Sequence, residues 1–176
     1  MLTNITELLL IAVLPALLVG AAFWDLASFT IPNVLPAAMG ACFVLFIAVA
    51  AMDGDVTWTA LGLHVAAGLI ALVAGMVMFA FGWVGGGDAK LYAVASLWLG
   101  WNMLLEYTLI ASILGGGLTL GILALRKVPL PAVLHGQGWL LKLADKDSGI
   151  PYGIALSAAA LAALPQSELF RIAAGG

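Results

Sequence analysis

The sequence predicts an all-α protein, a polytopic bundle of membrane helices, from its composition and from the spacing of its apolar runs. Of the 176 residues, 64% are hydrophobic and only 9% are charged, and the mean hydropathy is +1.17. A soluble domain carries roughly 25% charged residues. Because a helix needs about 20 apolar residues to cross the bilayer core, the chain has room for about six spans in a single integral membrane domain over residues 1–176.

Polar interruptions divide the chain into six apolar segments and one amphipathic segment. We expect spans over residues 5–24, 33–52, 58–83, 89–101, 104–125 and 150–164. The fourth covers only about 20 Å at 1.5 Å per residue, so it is short or extended at its ends. Residues 128–147 mix apolar and charged side chains, which predicts a helix lying on the membrane surface.

The first segment is either a retained span or a cleaved signal peptide. No basic residue precedes it, and Asp25 follows it where a cleavage site needs small residues. We therefore expect a retained helix that ends at Trp24 and Asp25. A polar turn over residues 28–33 follows, because Pro32 disfavours helical geometry at Ile31.

The basic residues predict the orientation of the bundle. With the N-terminus outside, five of the six basic residues face the cytoplasm and only Arg171 lies outside, whereas the reverse orientation leaves one of six inside. The cytoplasmic five are Lys90, Arg126, Lys127, Lys142 and Lys146. This orientation places Asp25, the segment 84–90 and the amphipathic segment at the cytoplasmic face.

The segment 84–90, Val-Gly-Gly-Gly-Asp-Ala-Lys, is the strongest candidate for a functional site. Three glycines permit backbone conformations that a Cβ would forbid, and Asp88 follows them. The predicted topology brings Asp25 and Asp88 to the same membrane face. Two adjacent carboxyl groups can share one proton, so that one activates a water molecule while the other polarises a carbonyl group. This is the chemistry of an aspartic peptidase.

Structural roles for the same residues remain open at this stage. Asp88 precedes an apolar helical run and is suited to an N-cap, and Asp25 is equally a flanking charge. Lys90 either balances the charge of the carboxyl pair or anchors the cytoplasmic face. Asn33 either forms a hydrogen bond near Asp25 or caps the second span.

Other residues are expected to be structural. Gly62, Gly68 and Gly75 permit close helix packing, His64 is expected to make a satisfied polar contact, and Cys42 to pack as a small apolar residue. We place His135 on the surface of the amphipathic segment, and Trp58, Trp83 and Trp101 in an aromatic belt. A single cysteine excludes a disulfide framework and a multi-cysteine zinc site, and no basic face suits nucleic acid.

Three short motifs resemble those of one enzyme family. Residues 85–90 resemble the GxGD motif of the prepilin peptidases, the intramembrane aspartic peptidases that process type IV pilin precursors. Asp25 with residues 31–33, Ile-Pro-Asn, is similar to the family's first catalytic aspartate and its downstream I-P-N. Residues 150–153, Ile-Pro-Tyr-Gly, are similar to the family's late P-Y-G segment.

The resemblance implies a function and a set of site residues. Asp25 and Asp88 match the family's catalytic pair, and no metal or cofactor is implied. The activity implied is cleavage of a basic leader ahead of the apolar helix of a prepilin, at the cytoplasmic face of a bacterial inner membrane, with lipid and pilus assembly or secretion proteins as partners. Further residues expected to bind substrate or shape the site are Gly85, Gly87, Lys90, Asn33, Pro151 and Tyr152.

Three alternatives accompany this interpretation. Bifunctional members also methylate the new N-terminus and carry a cysteine-rich insertion after the first span. Here residues 25–32 hold no cysteine, so the chain resembles the minimal form found with tight-adherence (Flp) pili. The second alternative is a proton-coupled transporter, which is disfavoured because no carboxylate is expected mid-span and no inverted repeat is visible. The third is a catalytically silent scaffold of a secretion assembly.

Overall fold

The computed structural model describes residues 2–54, 56–127, 138–146 and 148–173, and all the regular elements in that part of the chain are helical. They are α1 (Leu2–Ser28), α2 (Val34–Asp53), α3 (Trp58–Ala80), α4 (Gly86–Leu99), α5 (Trp101–Leu125), α6 (Gly138–Ala144), α7 (Tyr152–Ala163) and α8 (Glu168–Ala173), with a 3-10 turn over Leu164–Gln166. The predicted all-α membrane helix bundle is confirmed.

Three of these helices are long and apolar enough to cross a membrane. They are α2 over Val34–Met52, α3, and α5. The stretch Ala12–Ser28 of α1, and α7 with its 3-10 turn over Tyr152–Gln166, are shorter apolar helices. The structure therefore has a helix for each of the six predicted spans, while α8 was not predicted.

The end of α1 lies further along the chain than predicted. The helix continues to Ser28, whose hydroxyl donates to the carbonyl of Trp24 at 2.7 Å, and the N–H of Phe29 donates to the carbonyl of Asp25 at 2.7 Å. The chain then leaves the helix at Phe29, which has a left-handed φ of 60°. The prediction that α1 ends at Asp25 was wrong, and Asp25 lies inside the last turns of the helix.

The fourth predicted span, over residues 89–101, is confirmed as a short helix, although both of its bounds were misplaced. This helix begins at Gly86, inside the glycine run, and ends at Leu99, where Gly100 adopts a φ of 79°. Its 14 residues rise only about 21 Å. Most of its side chains are buried, because α2, α3, α5 and α7 all pack against it.

The core of the bundle lies between α4 and its neighbours. Trp98 packs edge-on against Phe43, with ring centroids 5.5 Å apart, and its indole N–H donates to the carbonyl of Met39 at 3.0 Å. Phe43 also lies beside His64 on α3, with ring centroids 6.2 Å apart, and His64 Nδ1 lies 2.8 Å from the carbonyl oxygen of Leu97. The predicted polar contact of His64 is therefore confirmed.

Small residues bring α3 and α4 together. A Cβ on Gly68 would lie 3.0 Å from Cβ of Leu97, and a Cβ on Gly75 would lie 2.9 Å from Cβ of Ala89. The prediction of close packing is confirmed at these two positions. It was wrong at Gly62, where a Cβ would meet no described atom within 4 Å.

The amphipathic segment is described only in part. Residues 138–144 form α6, whereas residues 128–137, with His135, and residue 147 lie outside the described residues. Arg126, at the end of α5, holds this region: Nε donates to the carbonyl of Leu143 at 2.9 Å, and the guanidinium donates to the carbonyls of Ser148 and Gly149 at 2.8 and 2.9 Å. The guanidinium therefore joins α6 and the turn before α7 to α5.

Candidate active site

The two aspartates singled out in the sequence lie at the same end of the bundle. This end is formed by the last turns of α1, the turn after it, the start of α4 and the start of α7. The contacts that join these elements involve Ile31, Gly87 and Gly153.

Asp25 is buried, with 3% of its surface exposed. Its Oδ2 accepts a hydrogen bond of 2.7 Å from the backbone N–H of Gly153, in the first turn of α7. The start of α7 therefore presents an N–H group to this carboxyl group, as helix N-termini do for anions. Asp25 is not a surface charge flanking a span, because α7 covers it.

Asp88 lies in the first turn of α4 and not before the helix. Gly85 is the N-cap, and its backbone N–H donates to Asp88 Oδ2 at 3.2 Å. The other oxygen, Oδ1, is buried and has no hydrogen-bond partner among the described residues. Asp88 is therefore not the N-cap residue, but its side chain does cap the start of α4 by accepting from the N–H of Gly85, as the structural alternative expected. Its other carboxyl oxygen is left without the partner that a buried polar atom normally has.

Ile31 connects the two aspartate-bearing regions. A Cβ on Gly87 would lie 3.0 Å from Cβ of Ile31, and a Cβ on Gly153 would lie 2.7 Å from Cδ1 of the same side chain. Gly87 directly precedes Asp88, and the N–H of Gly153 donates to Asp25. Ile31 thus fits between two glycines, and this brings the two aspartate-bearing regions together.

The reason for the glycine run differs from the one predicted. Gly85 has a φ of −72°, which any residue adopts, and of the described glycines only Gly54, Gly82 and Gly100 have positive φ. Position 87 needs a glycine because Ile31 lies too close to leave room for a Cβ. The expectation that these glycines supply unusual backbone conformations was therefore wrong, and close packing replaces it.

Asn33 and Lys90 contact each other at the edge of this region. Lys90 Nζ donates to Asn33 Oδ1 at 2.7 Å, and both side chains are exposed. Asn33 is the N-cap residue of α2, as the capping alternative expected, but its side chain makes no capping hydrogen bond to that helix. The pair joins the start of α2 to the start of α4.

Pro151 and Tyr152 form the start of α7. Pro151 is buried and precedes the helix, and Tyr152 is its first residue. The Tyr152 hydroxyl lies 3.0 Å from Thr119 Oγ1, and its ring fills the space beside Gly115, where a Cβ would lie 2.9 Å from Cε1.

A cavity of about 250 Å³ lies beside Asp88, between α3, α4, α5 and α7. Asp88 and Tyr152 both line it. Of the two aspartates only Asp88 reaches this wall, because Asp25 is covered by the start of α7.

Several residues at this end of the bundle had no role in the sequence-based prediction. Gly153 and Ile31 were recognised only as motif letters, and Arg126 only as a basic residue that sets orientation. Their sequence signal was their place in or near the motifs, which does not show that Gly153 donates to Asp25. Among the described residues, no three His, Cys, Asp or Glu side chains lie together as a metal site would require.

Fold and site together define a class: an all-helical membrane protein in which two carboxyl groups from separate helices, each bound by a backbone N–H near a helix N-terminus, lie at one end of the bundle. The chain belongs to the type IV leader peptidase family, whose model matches residues 12–120.

The matched region includes Asp25, the Ile-Pro-Asn turn and the glycine cluster, and it ends before residues 150–153. Comparison with curated proteins and with solved structures gives no significant match. Family membership supports a peptidase of the type IV leader kind that is embedded in a membrane and has a prepilin substrate.

Proposed function

We propose that this protein is an aspartic endopeptidase that removes the leader peptide from a prepilin, with Asp25 and Asp88 as its catalytic pair. The observation that carries the proposal is that Asp25 on α1 and Asp88 on α4 lie at one end of the bundle, in regions joined by Ile31, in a member of a family of leader peptidases. A buried carboxyl oxygen without a partner, Asp88 Oδ1, is unusual for a purely structural residue.

The proposed reaction is hydrolysis by a pair of carboxyl groups that shares one proton. The ionised member takes a proton from a water molecule as the water oxygen attacks the scissile carbonyl carbon, and the protonated member donates to the carbonyl oxygen. The tetrahedral intermediate then collapses: the C–N bond breaks and the amine nitrogen takes a proton from the pair. The mechanism uses no metal and no cofactor.

The proposed location of the reaction is the cytoplasmic face of a bacterial inner membrane. The distribution of basic residues supports this orientation. Asp25, Asp88 and Arg126 lie at the same end of the bundle. The predicted topology requires this. The absence of cysteine between the first two spans supports the minimal, non-methylating form associated with tight-adherence pili.

The test is replacement of each aspartate by its isosteric amide. We expect Asp25→Asn and Asp88→Asn each to lower cleavage of a co-expressed prepilin by at least about 100-fold, the lower end of the contribution of general acid–base catalysis. The matched control is Glu106→Gln on α5, an exposed carboxyl group. Cleavage is followed as the loss of leader mass from the precursor, with membrane insertion checked for each variant.

Normal processing by either aspartate variant would refute the aspartic mechanism. Proton flux in proteoliposomes without any cleavage product would instead support a transporter.

A further inference from the structure

A groove lies between α2 and α3 on the surface of the bundle, and α4 forms its floor. In the described residues, α2 and α3 each pack against α4 and hardly touch each other, and a cleft of about 490 Å³ lies between them. The floor residues Lys90, Ala93, Val94 and Leu97 recur at the spacing of one helical face. The groove therefore runs along α4, and at 1.5 Å per residue it is about 10 Å long from Lys90 to Leu97.

The groove opens toward lipid. Ala37 on α2 and Val65 and Leu69 on α3 line it and are exposed. Because both helices are long and apolar enough to cross a membrane, these exposed side chains face acyl chains. A lipid chain therefore has direct access to the groove from the side of the bundle.

The polar groups of the groove are confined to one end. Apart from Asn33 and Lys90, the residues that line it are apolar or glycine. Asn33 directly precedes α2 and Lys90 lies near the start of α4, so both belong to the end of the bundle that carries Asp88. The groove thus matches an amphiphile, a molecule with one polar end and an apolar chain.

The polar end of the groove offers hydrogen-bond donors and a positive charge. Lys90 Nζ donates to Asn33 Oδ1 at 2.7 Å, and both side chains are exposed. The remaining N–H groups of Lys90 and the amide N–H groups of Asn33 have no partner within the described part of the chain. A phosphate group complements this set, because it carries negative charge and oxygen acceptors.

The charge of Lys90 is not directed at the pair of aspartates. Residues two positions apart in a helix lie about 200° apart around its axis and do not face each other. Asp88 accordingly lines the cavity between α3, α5 and α7, whereas Lys90 lines the groove between α2 and α3. Among the described residues, the one hydrogen-bond partner of Lys90 is the neutral amide of Asn33. Its charge is therefore available to a ligand from outside the protein.

The volume of the groove distinguishes a lipid chain from a peptide helix. A helix that is 10–12 Å wide occupies roughly 800–1,100 Å³ over a length of about 10 Å. The groove holds about 490 Å³. A helix is therefore too wide to lie inside it, whereas an acyl chain, which is a single row of methylene groups, fits.

We propose that this groove binds an anionic phospholipid, with the phosphate at Lys90 and Asn33 and one acyl chain along α4 between α2 and α3. Basic pockets between membrane helices bind anionic headgroups in this way. The site contains neither Asp25 nor Asp88, so the proposal does not depend on the proposed peptidase function.

The first test measures lipid binding to the purified protein in detergent by native mass spectrometry. Phosphatidylglycerol is the anionic probe and phosphatidylcholine is the zwitterionic one. Lys90→Gln removes the charge, and Lys90→Arg keeps it. The matched control is Lys127→Gln, which changes an exposed cation after the end of α5 that does not line the groove. Size-exclusion chromatography and thermal unfolding check that each variant is folded.

The second test fills the groove without changing its charge. Ala37→Leu on α2 and Val65→Phe on α3 each add carbon atoms to its walls. The matched controls are Ala51→Leu, near the other end of α2, and Leu63→Phe on α3, at exposed positions that do not line the groove.

We expect wild type to bind phosphatidylglycerol about fivefold more tightly than phosphatidylcholine, the scale of one basic side chain at an anionic lipid surface. Lys90→Gln should abolish this preference and Lys90→Arg should retain it. The filled variants should bind both lipids about fourfold or more weakly, the effect of excluding one methylene group from an apolar site. All three controls should behave as wild type.

Three results overturn the proposal. The first is equal binding of the two lipids by wild type, or a preference that survives in Lys90→Gln. The second is wild-type binding of both lipids by the filled variants. The third is a dimeric wild type that becomes monomeric in the filled variants with unchanged lipid binding, which would assign the groove to a second copy of the chain.

Discussion

Replacement of Gly153 by alanine tests whether the N–H group at the start of α7 positions Asp25. A methyl group there would lie 2.7 Å from Cδ1 of Ile31, 2.8 Å from Oδ2 of Asp25 and 3.1 Å from Cβ of Asp25. Each distance is shorter than an ordinary contact between these atoms, and both neighbours are buried. The Asp25 side chain must therefore shift, and its 2.7 Å hydrogen bond from Gly153 must lengthen.

The expected loss of activity follows from that hydrogen bond, and the expected loss of stability follows from the crowding. A hydrogen bond to a charged group contributes about 1.5–3 kcal/mol, which corresponds to a loss of about 10- to 150-fold if the rate depends on the position of Asp25. Overpacking costs about 1–3 kcal/mol of stability, and the better helix propensity of alanine offsets about 1 kcal/mol of it. Activity should therefore fall more than stability.

The assay is prepilin cleavage by Gly153→Ala, together with its thermal unfolding in detergent. The control is Gly116→Ala on α5, where a Cβ would meet no described atom within 4 Å; it should keep full activity with unchanged or slightly higher stability. Wild-type cleavage by Gly153→Ala would show that the contact with Asp25 is not needed, and the proposed site geometry would be wrong.

Three further changes test the surroundings of the site. Arg126→Ala removes three hydrogen bonds to backbone carbonyls and should lower both the midpoint of thermal unfolding and the rate of cleavage. Arg126→Lys should recover only part of each loss, because an ammonium group lacks the planar fork of donors. Equal losses in the two variants would contradict this. Tyr107→Phe removes a buried hydroxyl that has no hydrogen-bond partner among the described residues. Thermal unfolding should therefore show unchanged stability or a gain of up to about 1 kcal/mol. A clear loss of stability would reveal a hidden partner. Lys90→Gln breaks an exposed hydrogen bond to Asn33 and should keep cleavage within about twofold; a larger loss would instead place Lys90 in contact with substrate.

Local sequence signals predicted the helices well where hydropathy alone decides them. The span predicted over 33–52 is observed as α2, Val34–Asp53, because a long apolar run flanked by polar turns has few alternatives. The start of α4 was misplaced because glycine is a poor helix former. At Gly87 a Cβ would lie 3.0 Å from Cβ of Ile31, so this position in the helix has no room for a larger residue, and that closeness is not visible in a local pattern.

The sequence predicted which residues form the candidate site, but not their positions and contacts in space. The motifs singled out Asp25 and Asp88, and the counting of basic residues placed both at one membrane face. The hydrogen-bond partners of these residues, the burial of Asp25 by α7 and the cavity beside Asp88 had no sequence signal, since each depends on which helices become neighbours.

By itself, the sequence determined that this chain is a bundle of membrane helices and that Asp25 and Asp88 lie between apolar runs, because hydropathy and charge are properties of each residue in order. Only the tertiary structure decided that the N–H of Gly153 meets the carboxyl group of Asp25 across 128 positions of the chain. It also decided that Ile31 fits between two glycines and that the hydroxyl groups of Tyr92 and Tyr152 pair with those of Thr108 and Thr119. The physical reason is that packing and hydrogen bonding depend on the distance between residues in space, and this distance cannot be read from their separation along the chain.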